Sequence, residues 1–372
     1  MKILVNNQDW GQNEQRRIED TYGGVGYYRL WKPYQQIKGH DKEFIGQNIK
    51  KYGKNYAERW DNIFKDIDVY WTSYFVEERT AAAMFNFRDK HKKKVIIDVD
   101  DNYLDILPSN PLYDKFKPTK KNRAILGATL SFADAITVST EPLKQRLLRH
   151  FKEVYGLDKK IFVLPNFNDV NDWNHVPEKQ DKFIIGYSGS NSHQDDLRMV
   201  MPVVDKIMRK YKHVHLEVIG SIDKQALNIF NDFDPKCLDR CDILSGTWTF
   251  NEYPKYLASR GFDIGLAPLV DSAFTRSKSH IKWMEYSMYK IPTIASEVYP
   301  YYMPLWERET IEHDTTGLLV KPSEWFDAIE NLVLDGKKRK ELGENAYKYV
   351  KNNWQYESSG MDEKIDFMLK NI

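Results

Sequence analysis

The run Asp263-Ile-Gly-Leu-Ala-Pro-Leu269 is followed by Arg276-Ser-Lys-Ser-His-Ile-Lys-Trp-Met-Glu-Tyr286 and then by Lys290-Ile-Pro-Thr-Ile-Ala-Ser296. The first apolar run ends at Pro268, so a strand closes there and a polar loop follows. Ser277 or Ser279 is the expected helix N-cap, because a serine hydroxyl accepts from the N–H groups that a helix start leaves open. A second apolar run over 293–295 follows the helix. Strand, helix and strand in this order form the repeating unit of a parallel sheet.

The same alternation extends outward along the chain. Strands are expected at 3–5, 69–71, 95–98, 135–138 and 162–164, then at 183–187, 215–219, 264–267, 293–295 and 317–320. Helices are expected at 77–91, 120–132, 142–151, 196–211, 251–260, 279–289 and 324–334. A longer helical pattern over 339–369 breaks near Asn352 and Asn353. The polar segment 167–182, with Pro177, reads as a linker between two halves. The expected architecture is α/β, with two Rossmann-like domains facing each other across a cleft. They span 1–166 and 183–345, and 346–372 forms a C-terminal helix packing back on the first domain. Ligands of open α/β sheets bind beyond the carboxyl ends of the strands, which puts the site in that cleft.

Composition narrows the function class. The 372 residues carry 55 Lys+Arg and 54 Asp+Glu, a formal net charge of +1, which argues against a generally basic nucleic-acid binder. A hydrophobic fraction of 41% with 14% aromatics is too apolar for a disordered chain. The 2 cysteines, Cys237 and Cys241, lack a partner His or Cys pair, so structural thiols are expected rather than zinc. The start Met1-Lys2-Ile3-Leu4-Val5 turns polar at Asn6, too soon for a signal peptide, and no run reaches a membrane span of about 18 apolar residues. A cytoplasmic protein is expected, with peripheral contact at a membrane surface still compatible.

Several groups carry chemistry. A helix N-terminus suits phosphate, and Arg276, Lys278 and Lys282 add positive charge beside it. Lys282 and Glu285 share a helix face, so a phosphate-binding ammonium and a diol-binding carboxylate can point the same way; the alternative is a solvated i,i+3 surface pair. Ser188-Gly189-Ser190 follows a strand and permits close backbone approach to a phosphate or sugar, or is a plain tight turn. His193 reads as a helix-start side chain or as a donor to the sugar phosphate. Tyr22-Gly23-Gly24-Val25-Gly26 supplies loop glycines without the dinucleotide spacing. Asp98, Asp100 and Asp101 cluster at a strand end, where carboxylates hold Mg²⁺ or Mn²⁺, cap the strand, or deprotonate a hydroxyl. Lys90–Lys94 and Lys115–Arg123 are solvated loops, or select an anionic acceptor if they face the site. The stretch 246–250, with Trp248 and Phe250, is placed to stack on a base.

The stretch 263–296 resembles the donor-site signature of GT-B glycosyltransferases, especially the retaining family 4 group. That family carries two Glu eight positions apart, then a small-residue turn with Lys and Pro. Glu285 matches the second Glu, Tyr289-Lys290-Ile291-Pro292-Thr293 matches the turn, and Ser277 stands in place of the first Glu. Val163-Leu-Pro-Asn166, Ile185-Gly-Tyr-Ser-Gly-Ser190 with His193 and Asp196, Thr316-Gly-Leu-Leu-Val320 and Leu342-Gly-Glu-Asn-Ala346 extend the likeness. The resemblance implies a transferase that moves a hexosyl or pentosyl group from a nucleotide-sugar to an acceptor hydroxyl with retention and without a metal. UDP-sugar ranks first and GDP-sugar second, and no tightly bound cofactor is implied. Donor-binding residues would be Gly24, Gly26, Ser188, Gly189, Ser190, Arg276, Ser277, Ser279, Lys282 and Glu285. Catalytic residues would be His193 and Lys282, together with Asp100 and Asp101, which stand about where many family members carry a His and of which one would bind a sugar hydroxyl or deprotonate the acceptor. The acceptor would be a glycan, lipid carrier, polymer or modified nucleic-acid base. A GT-B-like binding protein without activity, favoured by Ser277, and a sugar-nucleotide epimerase are the rival readings; a phosphorylase would need a pyridoxal-phosphate lysine that nothing marks.

Overall fold

The computed structural model describes residues 1–7, 23–45, 49–74, 78–220, 226–246, 248–302 and 310–372. Two compact units emerge, one of 1–105, 115–166 and 360–372, the other of 106–114 and 167–359.

In the first unit the strands are β1 (Lys2–Asn6), β2 (Asp41–Ile45), β3 (Val69–Ser73), β4 (Lys94–Val99), β5 (Ala135–Val138) and β6 (Ile161–Val163). All pair in parallel, in the order β2-β1-β3-β4-β5-β6. Helices α1 (Tyr56–Asp66), α2 (Glu78–His91), α3 (Lys120–Phe132) and α4 (Glu141–His150) cover the sheet. Helix α1 shows the local logic: Asn55 caps it by accepting from the Glu58 N–H, and Trp60, Ile63 and Phe64 bury one face. The core combines these with Leu4, Tyr70, Ile97, Leu130, Val138 and Leu147.

The second unit holds β7 (Phe183–Ser188), β8 (Val214–Gly220), β9 (Cys241–Ser245), β10 (Ile264–Ala267), β11 (Thr293–Ser296) and β12 (Leu318–Val320). Their order is β12-β11-β10-β7-β8-β9 and again every pair is parallel. Counted from β7 this is 6-5-4-1-2-3, the doubly wound order of dinucleotide-binding folds read from the other edge. The helices are α5 (Gln194–Lys210), α6 (Tyr253–Arg260), α7 (Ile281–Met288), α8 (Trp325–Leu334) and α9 (Gly336–Asn353). Helix α5 turns Leu197, Val200, Met201, Val204 and Met208 onto the sheet at helical spacing, against Ile185, Leu216 and Ile264. The last helix, α10 (Met361–Lys370), belongs to the first unit.

Four sequence expectations change. Strands β2 and β9 and helix α1 were not anticipated; β2 reads DKEFI and β9 reads CDILS, and both occupy sheet edges, where one exposed side removes the need for an apolar run. The expected linker 167–182 is packed at its start, with Phe167 1% and Trp173 2% exposed, and exposed further on, with Val176 at 84%. The boundary expected at 346 falls inside α9, and the chain joins the first unit only from Gly360. Gly24 and Gly26 lie in a helical turn rather than a loop, continued by a π-helical segment over Tyr27–Trp31. Tyr22 and Thr247 lie outside the described residues.

Candidate functional site

In the second sheet the chain leaves β7 toward β8 on one side and leaves β10 toward β11 on the other. Ligand crevices of doubly wound sheets form at this reversal, beyond the carboxyl ends of the two central strands. Residues after β7 and after β10, together with α7, meet there.

Helix α7 is deeply set. Trp283, Met284, Glu285, Tyr286, Ser287 and Met288 are all buried, and the Trp283 indole N–H donates to the Thr316 carbonyl at 3.0 Å. Its partly exposed flank carries Lys282, whose Nζ lies 3.0 Å from His193 Nε2 and 5.6 Å from the centre of the Tyr187 ring. His193 Nδ1 stands 2.6 Å from Asp196 Oδ2, and Asp196 Oδ1 accepts from the Val270 N–H at 2.7 Å. His193 is 8% and Asp196 2% exposed. Burial first, then the Lys282 ammonium, push the imidazole down to about 3, with Lys278 adding to the effect and Asp196 opposing it. The ring is therefore neutral at physiological pH, with its proton on Nδ1 facing the carboxylate. A neutral ring of this tautomer presents a lone pair at Nε2. In this arrangement the ring of His193, one residue before α5, stands between Asp196 and Lys282.

Glu285 is 7% exposed, which removes the reading of Lys282 and Glu285 as a solvated surface pair. A buried carboxylate needs donors, and Tyr253 of α6 supplies one to Oε2 at 3.0 Å. The Ser188 hydroxyl lies 2.7 Å from the Tyr253 oxygen. Burial, and then Glu285, push the Tyr253 phenol up, so it stays a donor. A chain of hydroxyls thus joins the end of β7 to the carboxylate on α7. Tyr286 accepts from the Ser188 N–H at 2.8 Å.

Other predicted donor residues behave differently. The Ser188 N–H goes to Tyr286 and the Gly189 N–H to the Ile219 carbonyl at 3.0 Å, so neither is available to a phosphate. Gly189 is needed for close approach: a Cβ would stand 2.4 Å from the Tyr187 hydroxyl. That hydroxyl is buried without a hydrogen-bond partner among the described residues. The Ser190 hydroxyl meets that of Ser192 at 2.9 Å. Arg276 is 60% exposed at its side chain and paired with Asp271 through two N–H groups, at 2.5 and 2.6 Å. Ser277 is buried and donates to the Ala273 carbonyl at 3.0 Å. Neither Ser277 nor Ser279 is the N-cap expected of them. Residues Thr275–Ser277 close a 3₁₀ turn, and α7 begins one residue after His280. Phe250 packs on Trp173 and Tyr253, and Trp248 stacks on Tyr256 at 4.2 Å, so both rings meet the protein's own aromatics. Burial pushes both cysteines up, Cys241 to about 12, which leaves them poor nucleophiles.

Gly24, Gly26, Asp100 and Asp101 belong to the first unit. Asp98 does not join Asp100 and Asp101 in a carboxylate cluster. Its side chain is 0% exposed and bound by Arg29 at 2.8 and 3.1 Å and by the Thr137 hydroxyl at 2.6 Å. Arg29 also donates to the Leu164 carbonyl and, at 2.8 Å, to Asn166. Tyr103 donates to Asp100 at 2.5 Å. Among the described residues no group of three His, Cys, Asp or Glu side chains is placed to hold a metal ion. Lys90, Lys93 and Lys94 pair with Asp61, Asp68 and Asp134 at the amino end of β4, away from the ligand end of that sheet. Lys115–Arg123 follows the carboxyl end of β4.

Solved structures of similar fold span the whole chain. HepE from Anabaena, in complex with UDP and glucose, aligns with TM-score 0.64 over 100% of both chains at 11% identity. An alpha-glucosyltransferase in complex with UDP-glucose and DNA containing an abasic site aligns with TM-score 0.67 over 99% of this chain and 98% of its own, at 12% identity. A glycosyltransferase from Rickettsia africae gives TM-score 0.61 over 99% and 97%, at 16% identity. No protein-family profile matches the chain, and no curated protein does. The chain has the GT-B fold. Among the described residues no helix is long and apolar enough to cross a membrane.

Proposed function

We propose that this protein is a glycosyltransferase that moves a sugar from a UDP-sugar to an acceptor hydroxyl. The observation that carries the reading is the pair Lys282 and Glu285 on one buried helix, beside the reversal point of the second sheet. Lys282, with Lys278 nearby, holds the diphosphate; Glu285 accepts from the ribose hydroxyls. As the bond to the sugar breaks, charge grows on the departing diphosphate, and a fixed ammonium there stabilises the transition state more than the ground state. Arg276 joins only after leaving Asp271.

UDP ranks ahead of GDP because similar folds were solved with UDP or UDP-glucose. Retention of configuration rests on the family resemblance. The first unit takes the acceptor: Asp100, oriented by Tyr103, accepts from its hydroxyl, with Asp101 beside it in sequence. Of the two basic clusters, we assign an anionic acceptor to Lys115–Arg123, because it follows the carboxyl end of β4.

The test is nucleoside-diphosphate release from UDP-, GDP-, ADP- and dTDP-sugars by native protein and by Glu285→Ala. Release from a UDP-sugar, lost in the variant, is expected; failure of every nucleotide to bind overturns the assignment. A second reading, donor binding without transfer, is favoured by Ser277, whose buried hydroxyl stands where the family has a carboxylate. It predicts a thermal shift with UDP and no release in the presence of any acceptor.

A further inference from the structure

The first unit carries a group of cationic side chains that the donor site does not use. Arg146, in the second turn of α4, gives two N–H groups to Asp105 at 2.6 and 2.9 Å, and Asn102 donates to the same carboxylate at 2.9 Å. Arg123, in the first turn of α3, is half-buried and donates to the Leu104 carbonyl. Among the described residues no carboxylate forms an ion pair with it. A guanidinium is a fork of N–H donors, and a single carbonyl occupies only part of it.

His150, the last residue of α4, completes the group. It is 9% exposed, and its Nε2 is buried without a hydrogen-bond partner among the described residues. A buried polar atom left unmatched costs free energy that a bound partner would recover. The ring stands edge-on to Tyr155, with 5.6 Å between centres, and Tyr155 donates to the Arg123 carbonyl at 3.3 Å. Gly127 lets α3 approach this closely, since a Cβ there would stand 1.7 Å from the Tyr155 hydroxyl. Burial first, then Arg146 and Arg123, hold the imidazole below its ordinary value, with Asp105 and the exposed Glu153 opposing them. Both guanidiniums therefore act on the ring.

We propose that Arg123, Arg146 and His150 form a binding site for a phosphate-type oxyanion carried by the acceptor. The link to the acceptor rests on the reading that the first unit takes it; the oxyanion site does not. A tetrahedral oxyanion accepts from the open part of the Arg123 fork and from His150 Nε2 together. Arg146, held by Asp105, supplies a second fixed charge behind them. An anion beside the ring favours its protonated form, so binding draws a proton onto His150. Leu104 and Asp105, which hold the two guanidiniums, directly follow Tyr103, which orients Asp100. One stretch, 100–105, thus serves both the acceptor hydroxyl and its anionic group.

Full-length protein labelled with ¹⁵N-histidine reports the ring by long-range ¹H–¹⁵N correlation, with His150→Gln assigning its signal. Inorganic phosphate and methyl phosphate are titrated with UDP in excess, against sodium chloride at matched ionic strength. The His150 titration midpoint of native protein should rise by about one unit with inorganic phosphate. Arg123→Gln should weaken phosphate binding about tenfold or more and abolish that rise. Arg149→Gln removes an exposed charge from the neighbouring position on α4 and should leave phosphate affinity within about twofold of native. Thermal unfolding establishes that both variants are folded. An unmoved midpoint in native protein overturns the site. Equal losses in Arg123→Gln and Arg149→Gln also overturn it, since a diffuse positive field would then attract the anion. Methyl phosphate bound within about tenfold of inorganic phosphate supports an ester on the acceptor, and a larger preference for inorganic phosphate overturns the acceptor role. No UDP binding by native protein overturns the proposed function and leaves the phosphate result standing.

Discussion

Removing one oxygen, in Tyr253→Phe, tests how the Glu285 carboxylate is held. The ring stays between Trp173 and Phe250, so packing is conserved. What is lost is the 3.0 Å bond to Glu285 and the 2.7 Å contact with Ser188. A hydrogen bond to a charged group contributes about 1.5–3 kcal/mol. The bond exists without ligand, so most of this appears as stability. At roughly 2–4 °C per kcal/mol for a domain of this size class, the melting temperature of the second unit should fall by about 3–12 °C. Freed carboxylate motion should also weaken UDP binding by about three- to tenfold, or roughly 0.7–1.4 kcal/mol. Calorimetric titration in the Glu285→Ala background isolates this second part. There the Tyr253→Phe effect on affinity should vanish, because the hydroxyl acts through Glu285. Equal losses in both backgrounds, additive within about 0.5 kcal/mol, refute the reasoning.

Three further outcomes follow from the geometry. Gly220 has φ of 135° and a Cβ there would stand 1.7 Å from the Gly189 carbonyl, so Gly220→Ala should cost about 1–3 kcal/mol and shift the Ser188–Ser190 turn. Thermal unfolding and UDP titration both read this, and a variant with native values in each contradicts it. Arg29→Met leaves the Asp98 carboxylate buried without its ion-pair partner and should cost about 3–5 kcal/mol in urea unfolding; a loss below about 1 kcal/mol would show that the pair adds little. The lowered His193 pKa sets a pH dependence. Between about 6.5 and 3 the unfolded chain protonates this ring and the folded chain does not, so stability present above about 6.5 is lost as pH falls. The slope from this group is at most about 1.4 kcal/mol per pH unit, and it should be missing in His193→Gln. Identical acid titrations of native and variant would place the ring's folded and unfolded pKa values together.

Interior strands were legible because both faces are covered and the chain must be apolar over a short run, as in β4, β8 and β10. The edge strands β2 and β9 were not, since charged residues are tolerated there. That Lys282 and Glu285 lie on one helix after a strand end was legible from spacing. Their supports were harder to see. Tyr253 lies 32 residues before Glu285, on a different helix, and no periodicity marks it. Gly220 left a weaker trace, a glycine closing a strand, which is a common sign of positive φ. His193 and Asp196 were visible as neighbours of a glycine turn. The bond that fixes Asp196 comes from Val270, 74 residues away, which no local pattern marks. Arg29 sits inside a run rich in glycine and aromatics that suggests a loop, and its burial on Asp98 spans 69 residues of sequence.

A crystal structure with UDP tests the central claim most directly. The account predicts UDP at the reversal point of the second sheet, with the ribose hydroxyls on Glu285 and the diphosphate on Lys282. UDP bound elsewhere, or at this point with neither side chain in contact, contradicts it.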